Sequence, residues 1–273
     1  MDFLASMAAG SRARVAEARR QQGDAEMWRW AESTPQPPRL VLSPQGFDVI
    51  AEVKLRSPAV GQLQAASEDI AVRVAAYARA GAAAVSVLTE PEKFEGSLDH
   101  LEQGARALQA CGGAPAMRKD FLVDPYQVAE ARLAGAGGIL VIVRMLTPAE
   151  LDALIVAARE LNLFVLIEAF DAADVQVAMQ MIDTHGGRVK LLLGINSRDL
   201  ASLSVVPGRL EELVDKLPTG VPRVAESGVA TAEDAARLAR AGYDLALIGS
   251  ALMTSRDPAQ LLAAMIAAGR GAK

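Results

Sequence analysis

Charged residues end several short aliphatic runs of this sequence, and their types suit acid and base chemistry. Glu52 and Lys54 end the first run, and in a β-strand both side chains would point to the same face. Lys119 ends the third run and Glu168 ends the fifth. Since a lysine can donate a proton and a glutamate can accept one, these residues could together provide general acid and general base catalysis.

Two later runs end in polar residues as well. Asn196 ends the sixth run and is followed by Ser197 and Arg198, while Glu226 ends the seventh. A buried charge costs several kcal/mol unless it is paired. Several charges at one edge of a fold therefore favour a functional site, and the alternative is a ring of structural ion pairs around the same edge.

Small residues follow the seventh and eighth runs. Ser227 and Gly228 come after the seventh, and Gly249 and Ser250 come at the end of the eighth. An isolated Gly-Ser pair would indicate only a tight turn. In a parallel barrel, however, the loops after the last two strands are where phosphate binds, so these residues predict a phosphate site.

The elements that must position these residues alternate regularly along the chain. Eight aliphatic runs predict strands at 49–54, 83–88, 116–119, 138–143, 164–168, 191–196, 223–226 and 245–249. Between them, helical patterns include 68–80, 125–134, 148–161, 172–181, 207–216 and 231–241, the last with Thr231 as its N-cap. This alternation predicts an α/β fold, a (β/α)8 TIM barrel. An open doubly wound sheet is the alternative, although no Gly-x-Gly-x-x-Gly follows the first strand.

The N-terminal part of the chain lies outside this alternation. Residues 1–33 have the pattern of one or two helices, and the Pro-rich segment at 33–38 interrupts it. We therefore expect an N-terminal helical extension and linker at 1–45 and a single barrel domain at 46–273.

Composition excludes several classes of function. The chain has 273 residues, a formal net charge of −5 and no dense run of Lys or Arg, which argues against a nucleic-acid partner. Cys111, His100 and His185 offer neither an intramolecular disulfide nor metal-ligand spacing. The apolar runs are too short to cross a bilayer, so we expect a cytoplasmic protein with no membrane partner.

Longer motifs around the same strand ends resemble those of the indole-3-glycerol-phosphate synthase family, in order, from about residue 48 to 262. The most specific are Met117-Arg118-Lys119-Asp120-Phe121 and Gly194-Ile195-Asn196-Ser197-Arg198-Asp199-Leu200. Others are Ile50-Ala51-Glu52-Val53-Lys54 with Ser57-Pro58, Phe94-Glu95-Gly96-Ser97, Ala225-Glu226-Ser227-Gly228 and Ile248-Gly249-Ser250. The N-terminal segment is only loosely similar to the extra helix that covers the substrate in this family.

The resemblance implies a decarboxylating lyase of tryptophan biosynthesis. Its substrate is 1-(o-carboxyphenylamino)-1-deoxyribulose 5-phosphate, which cyclises with loss of carbon dioxide and water to indole-3-glycerol phosphate. No cofactor or metal is implied. A monomer or a weak homo-oligomer is expected.

The resemblance also implies roles for individual residues. Lys119 would be the general acid, Lys54 would hold the anthranilate carboxylate and act in dehydration, and Glu168 would be the base; an exchange of roles between the lysines stays open. Mutual repulsion would lower the pKa of the lysines. Glu52 and Asn196 would position the reacting groups. Residues implied to bind substrate are Ser57, Phe94, Phe121, Arg198, Glu226, Ser227, Leu247 and Ile248, and those implied to bind its phosphate are Ser57, Gly228, Gly249 and Ser250.

Two departures from the family pattern stand out. The loop after the first strand reads Ser57-Pro58-Ala59-Val60-Gly61, where the family often has a serine and a lysine after the proline. Arg144 stands where small residues are common, although lysine also occurs.

Other functions stay open on the sequence. A related phosphate-binding barrel enzyme is one alternative, although phosphoribosylanthranilate isomerase would want a catalytic cysteine at the end of the first strand, where this chain has Lys54. A catalytically silent barrel that serves as a binding or scaffold subunit is the other, although it would be expected to have lost Lys54, Lys119 or Glu168.

Overall fold

A computed structural model describes residues 3–58, 61–63, 69–199 and 202–273 of the chain. In chain order its strands are β1 (Asp48–Val53), β2 (Arg56–Ser57), β3 (Gly61–Gln62), β4 (Ala84–Leu88), β5 (Ala116–Lys119), β6 (Gly138–Ile142), β7 (Phe164–Ala169), β8 (Leu191–Asn196), β9 (Arg223–Glu226) and β10 (Leu245–Ile248). The strands β2 and β3 form a small antiparallel hairpin that the sequence did not predict. The other eight are all parallel and close into a barrel.

The closed barrel confirms the predicted (β/α)8 fold. Around the barrel the order is β1, β10, β9, β8, β7, β6, β5 and β4, and β1 pairs with both β10 and β4. An open doubly wound sheet is therefore wrong for this chain. Each end of each predicted barrel strand lies within one residue of the observed end, because both faces of a parallel strand are buried and the aliphatic run has the length of the strand.

Two helices precede the barrel, and the other described helices follow its strands, most of them on the outside of the barrel. They are α1 (Phe3–Gln21), α2 (Asp24–Ser33), α3 (Ile70–Arg79), α4 (Pro91–Phe94), α5 (Leu98–Ala110), α6 (Pro125–Leu133), α7 (Pro148–Glu160), α8 (Ala172–His185), α9 (Arg209–Val214), α10 (Ala232–Ala241), α11 (Ser250–Thr254) and α12 (Pro258–Arg270). Among the described residues, no helix is both long enough and apolar enough to span a membrane.

The helix boundaries show where local chemistry decided the outcome. Thr231 is the N-cap of α10, as predicted, and its hydroxyl accepts the N–H of Asp234 in a capping box. The predicted helix at 207–216 is shorter at both ends, since Gly208 has a φ of +80° and α9 begins only after it. Glu68, the predicted start of α3, lies outside the described residues, as do Ala59, Val60 and Leu200.

Two apolar layers lie on either side of the barrel wall. Side chains alternate along each strand, so that Ile50, Leu140 and Leu166 pack inside the barrel while Val49, Val141 and Val165 pack outside against the helices. The inward positions at the carboxyl ends of the strands carry the polar residues. The fold thus brings them together above a filled aliphatic core.

The N-terminal helix α1 packs across the carboxyl end of the barrel. Leu4 and Met7 of α1 join the apolar layer inside the barrel. Arg14 of α1 donates to Asp120 Oδ1 at 2.8 Å, and Arg19 donates to Asp124 at 2.7 and 2.8 Å. The extension is therefore fixed to the loop after β5.

Candidate active site

A cavity of about 440 Å³ opens at the carboxyl ends of the barrel strands. Its wall includes all sixteen residues that the sequence singled out: Glu52, Lys54, Ser57, Phe94, Lys119, Phe121, Glu168, Asn196, Arg198, Glu226, Ser227, Gly228, Leu247, Ile248, Gly249 and Ser250. The structure thus brings together residues from seven of the eight barrel strands or the segments that follow them. Ile248 differs from the others because its side chain packs in the outer apolar layer, whereas that of Leu247 packs in the inner one.

Lys119 and Glu168 form an ion pair on one side of this cavity. Lys119 Nζ lies 3.1 Å from Glu168 Oε2, and Asn196 Nδ2 donates to Glu168 Oε1 at 2.9 Å. Lys119 and Asn196 are the last residues of β5 and β8, and Glu168 is the next-to-last residue of β7, so the barrel itself sets their spacing. Each oxygen of the Glu168 carboxylate is therefore held by a separate donor, which fixes its orientation.

The charges around Lys119 hold its proton firmly. Burial alone would lower the pKa of Lys119, but the negative charges of Glu168, Glu226 and Glu52 together outweigh burial and raise it above its ordinary value. The expectation that repulsion between lysines lowers this pKa is wrong for the free protein. Three carboxylates lie near the ammonium, and their attraction dominates.

Glu52 and Lys54 form a second ion pair in the cavity wall. Lys54 Nζ donates to Glu52 Oε1, and both groups lie against Gly249 at the end of β10. A Cβ at Gly249 would stand 2.2 Å from Glu52 Oε1 and 2.9 Å from Lys54 Nζ. The glycine therefore leaves the space that this ion pair occupies.

Glu226 is the least satisfied of the three carboxyl groups. Its side chain is fully buried over Gly194, and its Oε1 atom finds no hydrogen-bond partner among the described residues. Burial, followed by the negative charge of Glu168, raises the pKa of Glu226 well above its ordinary value, against the opposing effect of Lys119. A buried polar atom without a partner in a cavity wall is available to a ligand.

The loops after β9 and β10 provide the small residues expected around a phosphate. Ser227 and Gly228 have φ values of +68° and +73°, so the chain makes a left-handed turn as it leaves β9. A left-handed conformation is unusual for serine and is characteristic of functional turns. Across the loop, Ser197 Oγ donates to the carbonyl oxygens of Glu226 and Ser227, which supports this turn from β8.

Arg198 is oriented by its own loop. Its N–H donates to Asn196 Oδ1 at 3.0 Å, and its guanidinium donates to the carbonyl of Leu203. Arg209 in turn donates to the carbonyl of Arg198 at 3.0 Å. Burial lowers the pKa of Arg198, and the negative charge of Glu52 opposes that effect.

Aromatic rings form the apolar side of the cavity. Phe94 and Phe121 lie with ring centroids 6.1 Å apart, and Phe3 of α1 meets Phe121 edge-on at 5.9 Å. Phe3 and Leu4 line the cavity although sequence reasoning did not select them. Their apolar helix periodicity could have indicated a buried face, but it gave no sign of the surface that this face covers.

Sequence reasoning also missed Asp120 and the apolar residues Ile142 and Phe170. Asp120 Oδ1 accepts hydrogen bonds from Arg14 and the N–H of Phe121, and its Oδ2 accepts from Thr89 and Arg118. Asp120 therefore connects α1, β4 and β5 beside Lys119. Ile142 and Phe170 stand at inward positions at or just after strand ends, and that register was the available signal.

Solved structures of other proteins share the fold of this chain at low sequence identity. A 3-hexulose-6-phosphate synthase from Salmonella typhimurium has a TM-score of 0.61 and 12% sequence identity, and covers 83% of this chain and 100% of its own. A thiamine phosphate pyrophosphorylase from Pyrococcus furiosus has a TM-score of 0.57 and 16% identity, and covers 84% of this chain and 99% of its own. At these identities only the barrel architecture is shared.

Similarity in sequence is much closer to one family. A protein named indole-3-glycerol phosphate synthase from Parafrankia sp. (strain EAN1pec) is 38% identical over 271 residues, which cover 98% of this chain and 97% of the relative. Another of that name from Lacticaseibacillus casei is 37% identical over 266 residues, covering 96% of this chain and 98% of the relative. The family model for indole-3-glycerol phosphate synthase matches residues 4–265, so the similarity includes the N-terminal helices. The chain belongs to the indole-3-glycerol phosphate synthase family.

Proposed function

We propose that this chain catalyses the decarboxylating, dehydrating ring closure of 1-(o-carboxyphenylamino)-1-deoxyribulose 5-phosphate to indole-3-glycerol phosphate. The observation that carries the proposal is the Lys119–Glu168 pair, 3.1 Å apart in a cavity that is also lined by the small residues after β9 and β10 and by aromatic rings. Family membership supports the same reaction. The reaction releases carbon dioxide and water, and it needs neither an oxidant nor a reductant.

The barrel order suggests how the substrate would lie. The strand β9, which precedes Ser227 and Gly228, stands opposite β5, which precedes Phe121, in the ring of eight. We infer that the phosphate binds to the backbone and hydroxyl groups of the loops after β9 and β10, together with Ser57 of the β2–β3 hairpin. The carboxyphenyl ring would then lie against Phe94 and Phe121, across the cavity mouth.

In this orientation the charged residues can serve the successive steps. Lys119 would protonate the ketone oxygen as the aryl carbon attacks, and Lys54 would hold the ring carboxylate until it leaves as carbon dioxide. In dehydration Lys54 would protonate the hydroxyl that leaves as water, and Glu168 would take the proton that the ring system loses. The exchanged assignment of the two lysines is equally compatible with their positions.

The remaining polar residues would position these groups. Asn196 fixes Glu168, and Glu52 fixes Lys54. Arg198 would donate to substrate oxygen atoms, and Glu226 Oε1, which has no hydrogen-bond partner among the described residues, would accept from a substrate hydroxyl. Because Lys119 already carries its proton in the free protein, an acid in this role is ready before substrate binds.

The test is the rise of indole fluorescence when the purified protein meets the carboxyphenylamino-deoxyribulose phosphate. We expect wild-type turnover, and a loss of roughly 10²–10⁴-fold in kcat for Lys119→Ala and for Glu168→Gln, the usual contribution of a general acid or base. Circular dichroism and the unfolding midpoint check that both variants fold.

One outcome would contradict the proposed reaction, and another would contradict only the role of Glu168. A folded wild-type protein that binds the substrate without turning it over would indicate a related barrel enzyme or a silent barrel. Turnover that survives in Glu168→Gln would remove Glu168 from the role of base while leaving the overall reaction in place.

Three further expectations remain proposals. We place the boundary between the N-terminal extension and the barrel at residues 45 and 46, just before β1. That the chain acts as a monomer or a weak homo-oligomer remains a prediction from the resemblance. A cytoplasmic location remains a prediction from the sequence.

A further inference from the structure

Phe170 forms part of the cavity wall next to the proposed base. It follows β7 two residues after Glu168 and so faces the same side of the barrel wall. Its side chain is 2% exposed and belongs to the same inner apolar cluster as Phe121, Ile142 and Leu4. No charged group of the proposed reaction depends on this ring, so its role must come from its shape and position.

Arg144 holds the ring of Phe170 from outside the cavity. The guanidinium carbon of Arg144 lies 4.7 Å from the centroid of the Phe170 ring. A cation over an aromatic face at this distance is attracted by the ring. Arg144 lies in the 3₁₀ turn that follows β6, so this contact joins the ends of two neighbouring strands.

Two carboxylates fix Arg144 in turn. Its Nη2 lies 2.6 Å from Asp171 Oδ2, and its Nε donates to Asp174 Oδ2 at 2.7 Å. The same Asp174 oxygen accepts the backbone N–H of Phe170 at 2.9 Å. Asp171 also caps α8 through the N–H groups of Ala173 and Asp174.

This arrangement leaves the ring little freedom to move outward. The backbone of Phe170 is tied to Asp174, the outer face of its ring is covered by Arg144, and Leu4 and Met7 of α1 lie in the apolar cluster that the ring joins. A side chain confined on all these sides yields little to a larger ligand. The cavity wall between β6 and β7 is therefore rigid and apolar.

We propose that Phe170, held in place by Arg144, is a specificity-determining residue that limits which substituted carboxyphenyl rings the cavity accepts. The inference rests on the proposed function, in which the carboxyphenyl ring lies at the aromatic side of the cavity. Phe170 lines the same cavity as Phe121 and belongs to the same inner apolar cluster, so removing its ring would enlarge the cavity in which the carboxyphenyl ring is placed. Removing only Arg144 would leave the ring in the wall but free to turn.

The test compares substrates that differ by one methyl group. The unsubstituted substrate and derivatives with a methyl group at each free ring position in turn are given to wild type, Phe170→Ala and Arg144→Met. A single methyl group in an apolar pocket changes kcat/KM by about 10–200-fold. We expect Phe170→Ala to shift the ratio of methylated to unsubstituted kcat/KM by at least ~10-fold for one position, and Arg144→Met to shift the same ratio less.

Controls separate specificity from folding and from the proposed function. Arg12→Met removes another arginine near this rim, whose partner is Glu150, and should leave every ratio unchanged. Phe170→Leu keeps an apolar side chain if the alanine variant folds poorly. The dissociation constants of the reduced substrate, whose ketone is an alcohol and cannot cyclise, are measured for the same set of methyl derivatives.

The outcomes are distinct. Absence of wild-type turnover would count against the proposed function, and binding ratios of the reduced compounds would still test Phe170. Ratios within about twofold of wild type for every methyl position, in both turnover and binding, would overturn the inference. An equal shift in Arg12→Met would overturn it too, because the effect would then not belong to Phe170 and Arg144.

Discussion

Buried carboxylates lie at both ends of this barrel, but their surroundings differ. At the amino ends of the strands, Asp48 accepts hydrogen bonds from Arg270 at 2.7 Å and from the N–H of Ser43 at 2.7 Å, one on each oxygen. Asp244, which is only partly buried, also has both oxygens paired: one accepts the N–H of Arg223 and the other accepts from Lys273. At the carboxyl ends, Glu226 keeps an oxygen for which the described residues offer no partner.

The difference separates charges that hold the fold from charges that are available for chemistry. Asp48 is paired on both oxygens and lies away from the cavity, whereas Glu226 has an unsatisfied oxygen in the cavity wall that gains a hydrogen bond when a ligand arrives. Stability and activity should therefore respond in opposite ways to substitutions at the two ends. Three substitutions test this contrast.

The largest effect is expected for Gly249→Ala, at the carboxyl end. The new Cβ would stand 2.2 Å from Glu52 Oε1, so the Glu52–Lys54 pair must move. A displacement of about 1 Å in a catalytic group can reduce turnover on the order of 100-fold. We expect kcat/KM to fall by about that factor while the urea unfolding midpoint changes little.

A matched glycine serves as the control. Gly220 has no atom within 4 Å of its would-be Cβ among the described residues, and its backbone needs no left-handed conformation. Gly220→Ala should leave kcat/KM within about twofold of wild type. If Gly249→Ala keeps full activity, the Glu52–Lys54 pair does not need its present position.

Asp48→Ala should have the reverse effect, at the amino end. The substitution leaves the N–H of Ser43 without its acceptor and Arg270 without its charged partner. Breaking a buried pair costs about 3–5 kcal/mol. Because the Arg270 side chain is 29% exposed and water can solvate it, we expect a smaller loss, about 2 kcal/mol in the free energy of unfolding.

Urea denaturation measures this loss, and kcat/KM of the folded protein should stay within about twofold of wild type. Glu17→Ala, which removes an exposed partner of Arg20, is the control and should leave the free energy of unfolding unchanged within the error of the measurement. A strong loss of catalysis in folded Asp48→Ala would contradict the division between the two ends.

Much of this contrast could be predicted from sequence, because strand direction decides it. Glu52, Lys119, Glu168 and Glu226 end aliphatic runs, and the parallel barrel places every such end on the same side. Asp48 comes just before the first aliphatic run, so the same argument places it at the amino ends of the strands. The strand pattern determines which residues come together, and all sixteen residues selected from the sequence line the cavity.

The sequence pattern could not give the contacts that depend on three elements at once. Asp120 joins Arg14, Thr89 and Arg118, which are far apart along the chain. The pKa of Lys119 depends on three carboxylates whose distances follow from barrel closure, so its direction was predicted wrongly. The contact of Arg144 with Phe170 could not be predicted for the same reason, although Arg144 itself departs from the family pattern in the sequence.

The smallest expected effect, and the most diagnostic, is that of Glu226→Gln. Burial raises the pKa of Glu226 in the folded protein, so the folded state keeps a proton that the unfolded chain has already released. Wild-type stability must then fall as pH rises from the unfolded-state pKa, about 4.3, through the raised folded-state pKa. Glutamine does not titrate, so the variant lacks this loss. The free energy of unfolding of Glu226→Gln, relative to wild type, should therefore increase across that window and reach a gain on the order of 1 kcal/mol above it, the size of a typical single stabilising substitution. Urea denaturation of both proteins at a series of pH values measures the difference, and a difference that stays constant or shrinks with rising pH would show that Glu226 is as well satisfied as Asp48.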